Sequence, residues 1–211
     1  MTTDRTTTAG RVLGALLLLL AIVASARPAA AQAPTDVIKE ASNELATQLA
    51  ERKDELAADR DALYEMVNGI ILPRFNRRYA AQLVLGRNWR TASAEQREAF
   101  IDAFYNSLLR KYADGVLEFN QDRIEILPFR GDESRGRVVV KTVVTLDDGT
   151  KVPVDYGLSN RGGSWMVFDV IIEGISYVRN FRAELNSEIR TSSLDAVIAR
   201  LENEASGDLA E

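Results

Sequence analysis

Apolar residues recur along this chain with two different periods, and the change from one to the other divides it. Pro34-Thr35-Asp36 reads as a helix start, and apolar positions follow at Ile38, Ala41, Leu45, Leu49 and Leu56, close to helical spacing. A second helix is predicted over Ala62 to Ile71, burying Leu63, Met66, Val67, Ile70 and Ile71, with Pro73 to end or kink it. Tyr79 to Leu85 reads as a short third, stopped by Gly86. Ser93-Ala94-Glu95-Gln96 fits a capping box. The helix it opens carries Phe100, Ile101, Phe104, Leu108, Tyr112 and Val116 and is expected to run to about Leu117.

After Asn120 the pattern alternates. Ile124–Phe129, Val138–Leu146, Lys151–Ser159 and Trp165–Ile172 read as four strands. Asp147-Asp148-Gly149 suits a three-residue hairpin loop with glycine in the left-handed position. That register sets Val144 opposite Val152, Thr142 opposite Val154, Val140 opposite Tyr156 and Val138 opposite Leu158. One face is then nearly all apolar, and the other carries Lys141, Thr145, Pro153, Asp155 and Gly157. The register of the last strand stays open, because both its faces are largely apolar. Two helices close the chain, about Ile175 to Ile189 and Leu194 to Glu202, with Ser192 and Asp195 as a second capping-box pair. The expected architecture is one α+β domain over residues 32–203, with helices on one face of a four-stranded antiparallel sheet, and 204–211 form a small, polar, disordered tail.

The N-terminus stands outside that fold. Arg5 and Arg11 precede 15 uncharged, mostly apolar residues from Val12 to Ala26; Arg27-Pro28 ends the run and Ala29-Ala30-Ala31 offers a cleavage site. Fifteen residues at roughly 1.5 Å each fall short of a ~30 Å hydrocarbon core, so residues 1–31 read as a cleaved signal peptide rather than an anchor. Cutting after Ala31 leaves Gln32 first; cutting after Ala33 leaves Pro34. Removing residues 1–31 takes away three Arg and one Asp, so the formal charge moves from −5 to −7. So acidic a chain is a poor nucleic-acid binder.

Composition narrows the chemistry. The 211 residues include no Cys and no His. Disulfides, thiol nucleophiles, Cys-ligated metals and histidine general bases are excluded within the chain. No GxSxG, P-loop, HExxH or GxGxxG is present. Asp169, inside Val167-Phe168-Asp169-Val170-Ile171, is either a carboxylate of raised pKa or, the favoured reading, a structural one held by an Arg or by backbone N–H groups. No enzymatic activity, metal or cofactor is expected. Basic residues are uneven: Arg74, Arg77, Arg78, Arg87, Arg90 and Arg97 share a window with one acid, Glu95. The window is either a solvated face or a docking patch for an acidic partner or anionic lipid headgroups.

Leu72-Pro73, Tyr79-Ala80, Leu83-Val84-Leu85-Gly86, Gln96-Arg97-Glu98-Ala99-Phe100 and Ala103-Phe104 stand in the order and spacing of the MlaC family. Trp165, Asp169-Val170, Glu173-Gly174 and Ser176 fit its closing strand and helix. The chain resembles that family over about residues 36–203. One departure is Phe181-Arg182, where Tyr-Arg is common in relatives. The resemblance implies a monomeric periplasmic phospholipid carrier of the toluene-tolerance type. It would shuttle lipid between an outer-membrane lipoprotein complex and an inner-membrane ABC transporter complex, maintaining outer-membrane lipid asymmetry. It also implies a curved sheet, tails held in an apolar pocket between sheet and helices, and the headgroup outside. On that implication Leu83, Phe104, Leu108, Tyr112, Val140, Val144, Val152, Val154, Tyr156, Leu158 and Val170 become the candidate lipid-binding residues, and the six arginines the candidate docking residues. A protein-binding module or periplasmic chaperone using the same groove is the competing reading.

Overall fold

The computed structural model describes residues 32–206; the signal-peptide expectation for 1–31 and the end of the expected tail, 207–211, lie outside it. Within it run α1 (Pro34–Ala58), α2 (Arg60–Ile71), α3 (Arg77–Leu85), α4 (Asn88–Thr91) and α5 (Ala94–Tyr112). Strands β1 (Ile124–Ile126), β2 (Arg137–Thr145), β3 (Lys151–Arg161), β4 (Ser164–Ile172) and β5 (Ile175–Ser176) follow, and α6 (Tyr177–Thr191) and α7 (Leu194–Ser206) end it.

Local chemistry explains most boundaries. Asp59 separates α1 from α2 because its carboxylate accepts from the N–H groups of Asp61 and Ala62, so α2 opens two residues earlier than its apolar stripe indicates. Pro73 ends α2 in a tight turn over Leu72–Arg74. The Ser93 capping box is reciprocal: Ser93 Oγ accepts from Gln96 N–H at 3.1 Å and Gln96 Oε1 from Ser93 N–H at 3.0 Å. The α-helical part of α5 stops at Tyr112, and Ala113–Glu118 continue as a tighter turn. The second capping box does not form. Ser193, not Ser192, caps α7 through Ala196 N–H, and Asp195 accepts from Gln96 of α5 instead.

The sheet is an antiparallel meander in the order β1-β2-β3-β4-β5. The β2–β3 register matches the expected pairs, Val144 opposite Val152 through Val138 opposite Leu158, and Gly149 takes φ 82° in the connecting loop. Four strands become five. Ile175 and Ser176, expected as the first helical turn, instead pair with Ile172 and Ile171. Glu173 and Gly174 both adopt positive φ, 50° and 80°, and so build the two-residue turn that hairpins favour. β1 is shorter than expected, stopping at Ile126. Expected tail residues Glu204–Ser206 are helical, because Arg200 pairs with Glu204 one turn on.

Helices do not all lie on one face. α1 brings Val37 and Ile38 onto Val138, Val140, Leu158 and Trp165. A bulge where β3 meets β4, at Gly157 and Leu158, leaves Phe168 unpaired. The Phe168 ring lies over Gly157, on the face opposite Tyr156 and Leu158, and joins the core that α3, α5, α6 and α7 form. This shift is why β4 reads as apolar on both sides. A third cluster joins α1 and α2 through Leu45, Leu49, Leu56, Leu63, Met66, Val67 and Ile70, closed by Ala113.

Candidate functional site

The α1-facing side of the sheet is covered at one end only. Val140 and Leu158 sit in the α1 core, 1% and 0% exposed, with Tyr156 packed against it. Their surface is already occupied by protein. Thr142 follows, buried, with its hydroxyl donating to the Val154 carbonyl at 2.5 Å. Burial pushes the Tyr156 phenol above its ordinary pKa, and a hydrogen bond with Thr142 opposes the shift. Toward the β2–β3 loop the same face carries Val144, Val152, Val154, Val170 and Ile172, all half-buried and outside the three core clusters. Ile175, opposite Ile172, extends this strip and is 61% exposed. Ile172 and Ile175 escape notice in the sequence because the bulged β3–β4 register sets the face of Ile172 and the β4–β5 turn that of Ile175.

The helical candidates divide likewise. Phe104 lies inside the helical core, stacked on Phe100 at 5.5 Å and edge-on to Phe181 at 5.4 Å. Leu83 and Leu108 are half-buried against that core. Tyr112, at the C-terminal end of α5, is 44% exposed and meets Tyr177 edge-on at 6.2 Å, and Tyr177 meets Phe181 at 6.1 Å. An aromatic series thus leads from an exposed end of α5 into the core, and Tyr177 and Phe181 in it carry no sequence signal beyond helical periodicity.

Asp169 is buried and answers to α6. One carboxylate oxygen accepts from Ser176 Oγ at 2.6 Å, the other from Val178 N–H at 3.0 Å, while Ser176 Oγ accepts from Arg179 N–H at 3.1 Å. A negative charge at the first turn also complements the helix dipole. The group is therefore committed to anchoring α6.

The arginine window is broken up by the fold. Arg74 pairs with Glu44 at 2.8 Å, Arg77 with Asp102 at 2.9 Å and Arg78 with Glu98. Arg97 donates to the Trp89 carbonyl at 2.8 Å and stacks its guanidinium over that indole. Arg87 and Arg90 are exposed and make no ion pair among the described residues. The six do not act as one patch.

A groove of about 430 Å³ lies elsewhere, between α2, α5 and the end of α7, lined by Tyr64, Asp102, Asn106, Arg110 and Glu202 among others. None of the candidate lipid-binding residues lines it. Among the described residues no group of three or more acidic side chains is placed to hold a metal ion, and no helix is long and apolar enough to cross a membrane.

Comparison with known proteins shows a shared fold and family. The phospholipid-binding protein of Ralstonia solanacearum, solved in complex with a phospholipid, superposes with a TM-score of 0.72 at 22% identity, over 82% of this chain and 96% of that one. Toluene tolerance protein ttg2D of Pseudomonas putida is 30% identical over 167 residues, 79% of this chain and 77% of its own length. The intermembrane phospholipid transport system binding protein MlaC of Haemophilus influenzae is 22% identical over 192 residues, 90% of each. The family model for the MlaC protein matches residues 39–203. The chain belongs to the MlaC family.

Proposed function

We propose that this chain is a periplasmic phospholipid carrier that takes its cargo from one membrane-bound complex and delivers it to another: an outer-membrane lipoprotein complex and an inner-membrane ABC transporter complex. The observation that carries the proposal is the apolar strip Val144, Val152, Val154, Val170 and Ile172, which no core cluster covers. A relative named for phospholipid transport, and a phospholipid-bound neighbour of the same fold, support it.

The energetics define what a carrier must do. Each methylene exposed to water costs about 0.8 kcal/mol, so a two-tailed lipid with on the order of thirty methylenes faces roughly 20 kcal/mol even when partly exposed. Spontaneous desorption is correspondingly slow. A protein face that replaces water with apolar contact removes most of that barrier, and headgroup chemistry contributes little. Carrying lipid in this way needs no catalytic step, and Asp169, the one carboxylate singled out inside an apolar strand, is engaged in structure.

Mass spectrometry of an organic extract of the mature protein, purified gently from its native host, tests the reading. Phospholipid near one molecule per chain is expected. A folded, monomeric, lipid-free protein overturns it in favour of a protein-binding module using the same face.

A further inference from the structure

Five exposed arginines without an ion pair among the described residues lie on two adjoining elements, α6 and the α3–α4 segment. In α6, Arg179, Arg182 and Arg190 are exposed and make no ion pair among the described residues. With Asn186 they are spaced three, four and four residues apart, which places them on one helix face. Asn186 fixes what lies beside them. Its Nδ2 donates to the Val84 carbonyl at 2.8 Å, and its Oδ1 accepts from Asn88 Nδ2 at 2.7 Å, locking the α3–α4 turn against α6. That turn carries Arg87, and α4 just after it carries Arg90, both without an ion pair. The Arg182 guanidinium lies against Gly86, where a Cβ would stand 2.9 Å from Nη2, and Gly86 takes φ 57°, a conformation that favours glycine.

The neighbouring acids do not neutralise this face. Glu188 is held by Arg200, and Glu184, two residues beyond Arg182, points away around the helix. Glu173, in the exposed turn ahead of α6, is the nearest remaining carboxylate along the chain. At the N-terminal end of the same helix stands Ile175, the most exposed large apolar side chain of the described residues.

We propose that the arginines of α6 and the α3–α4 turn, with Ile175 at their end, form a face that lands on an anionic lipid bilayer. The inference rests on the carrier reading, in which a bilayer is where cargo begins and ends. An exposed aliphatic tip beside a row of cations is the combination that interfacial membrane binding uses. A row along one helix demands only a plane of negative charge, not a shaped acidic pocket. The rest of the chain carries a net negative charge, so an anionic surface favours orientations that present these arginines. It also brings Ile175, the open end of the apolar strip, toward the lipid.

The mature chain is sedimented with vesicles of phosphatidylglycerol and phosphatidylcholine, and with vesicles of phosphatidylcholine alone, at low and moderate salt. Binding to the anionic vesicles that weakens with salt is expected. The double variant Arg179→Glu/Arg182→Glu should lower that binding about 25-fold or more, at roughly fivefold per arginine. Arg87→Glu/Arg90→Glu should act in the same direction and serves if the first pair disturbs α6. Ile175→Ser should weaken binding with unchanged salt dependence. The control Arg130→Glu/Arg135→Glu, equal in charge but away from this face, should have a much smaller effect. Equal loss in the control, or binding indifferent to lipid charge, overturns the inference. So does full vesicle binding by the α6 variant combined with failed delivery to a membrane complex, which would make the partner a protein. Extracted phospholipid is measured on the same samples: lipid retained without arginine-dependent vesicle binding removes this inference alone, whereas a lipid-free native protein removes the carrier reading.

Discussion

Asp169 shows how much a single residue can announce without revealing its purpose. A carboxylate inside an apolar strand stands out in any reading of the sequence, but the groups that hold it, Ser176 Oγ and Val178 N–H, lie beyond a turn whose geometry is a tertiary matter. Asp169→Asn should lower stability by about 1.5–3 kcal/mol, because charge-assisted hydrogen bonds at a helix start are lost, and a urea titration checks it. Lipid content per folded molecule should stay unchanged, since the side chain faces α6 and not the apolar strip. Val154 gives the opposite expectation. Half-buried and outside the core clusters, it tolerates polarity better than Val140 does, so Val154→Asp should fold yet carry several-fold less extractable phospholipid. Normal lipid content in a folded Val154→Asp protein would remove the strip from the binding site.

At the scale of elements, local rules succeeded where one stretch of chain contains the whole cause. The β2–β3 register follows from alternation and a three-residue loop, and the Ser93 cap from four consecutive residues. They failed where a neighbour decides: Asp195 bonds to Gln96 of another helix and leaves the capping to Ser193. The closing helix pair supplies a test of its own. Arg200 reaches Glu188 through Nε at 2.8 Å and Nη2 at 2.7 Å, tying α7 to α6. This hydrogen bonding holds the Glu188 carboxyl below its ordinary value of 4.5. A lowered native pKa means the contribution is complete above the ordinary carboxylate range and fades as pH falls through it. Both side chains are about one-third exposed, so screening limits the pair to about 1 kcal/mol. Glu188→Gln should therefore melt lower than the parent at pH 7, and the two melting temperatures should converge as pH falls below the ordinary carboxyl value of 4.5.

For the whole molecule, the consequence is linkage between cargo and stability. A ligand bound only by the native state stabilises it by RT ln(1 + [L]/Kd), about 4.1 kcal/mol at a thousandfold excess over Kd. Protein stripped of lipid in a folded state should melt several degrees lower than the lipid-bound form, and reloading with phospholipid should restore the difference. Calorimetry on both forms checks this. Unchanged melting would mean that the cargo touches too little of the apolar strip to matter. Protection on loading should concentrate in β2, β3 and β4 at the uncovered end, because the end beneath α1 is already packed.

What the sequence alone determined is the longer helices, four of the five strands and one strand register, since periodicity, caps and turn residues act over a few neighbouring positions. It also determined the poverty of catalytic chemistry, which is a matter of residue inventory. Which apolar residues are core and which are left open was decided by tertiary structure. Val140 and Val154 are the same residue type on the same sheet face, and only the placement of α1 over one end distinguishes them. The arginines follow the same logic: of six neighbours in sequence, Arg74, Arg77 and Arg78 go to separate ion pairs and Arg97 to the Trp89 carbonyl, while Arg87 and Arg90 stand beside α6, which carries Arg179, Arg182 and Arg190. Burial and charge balance are sums over everything nearby in space, and a linear pattern holds only the part of that sum that lies nearby in the chain.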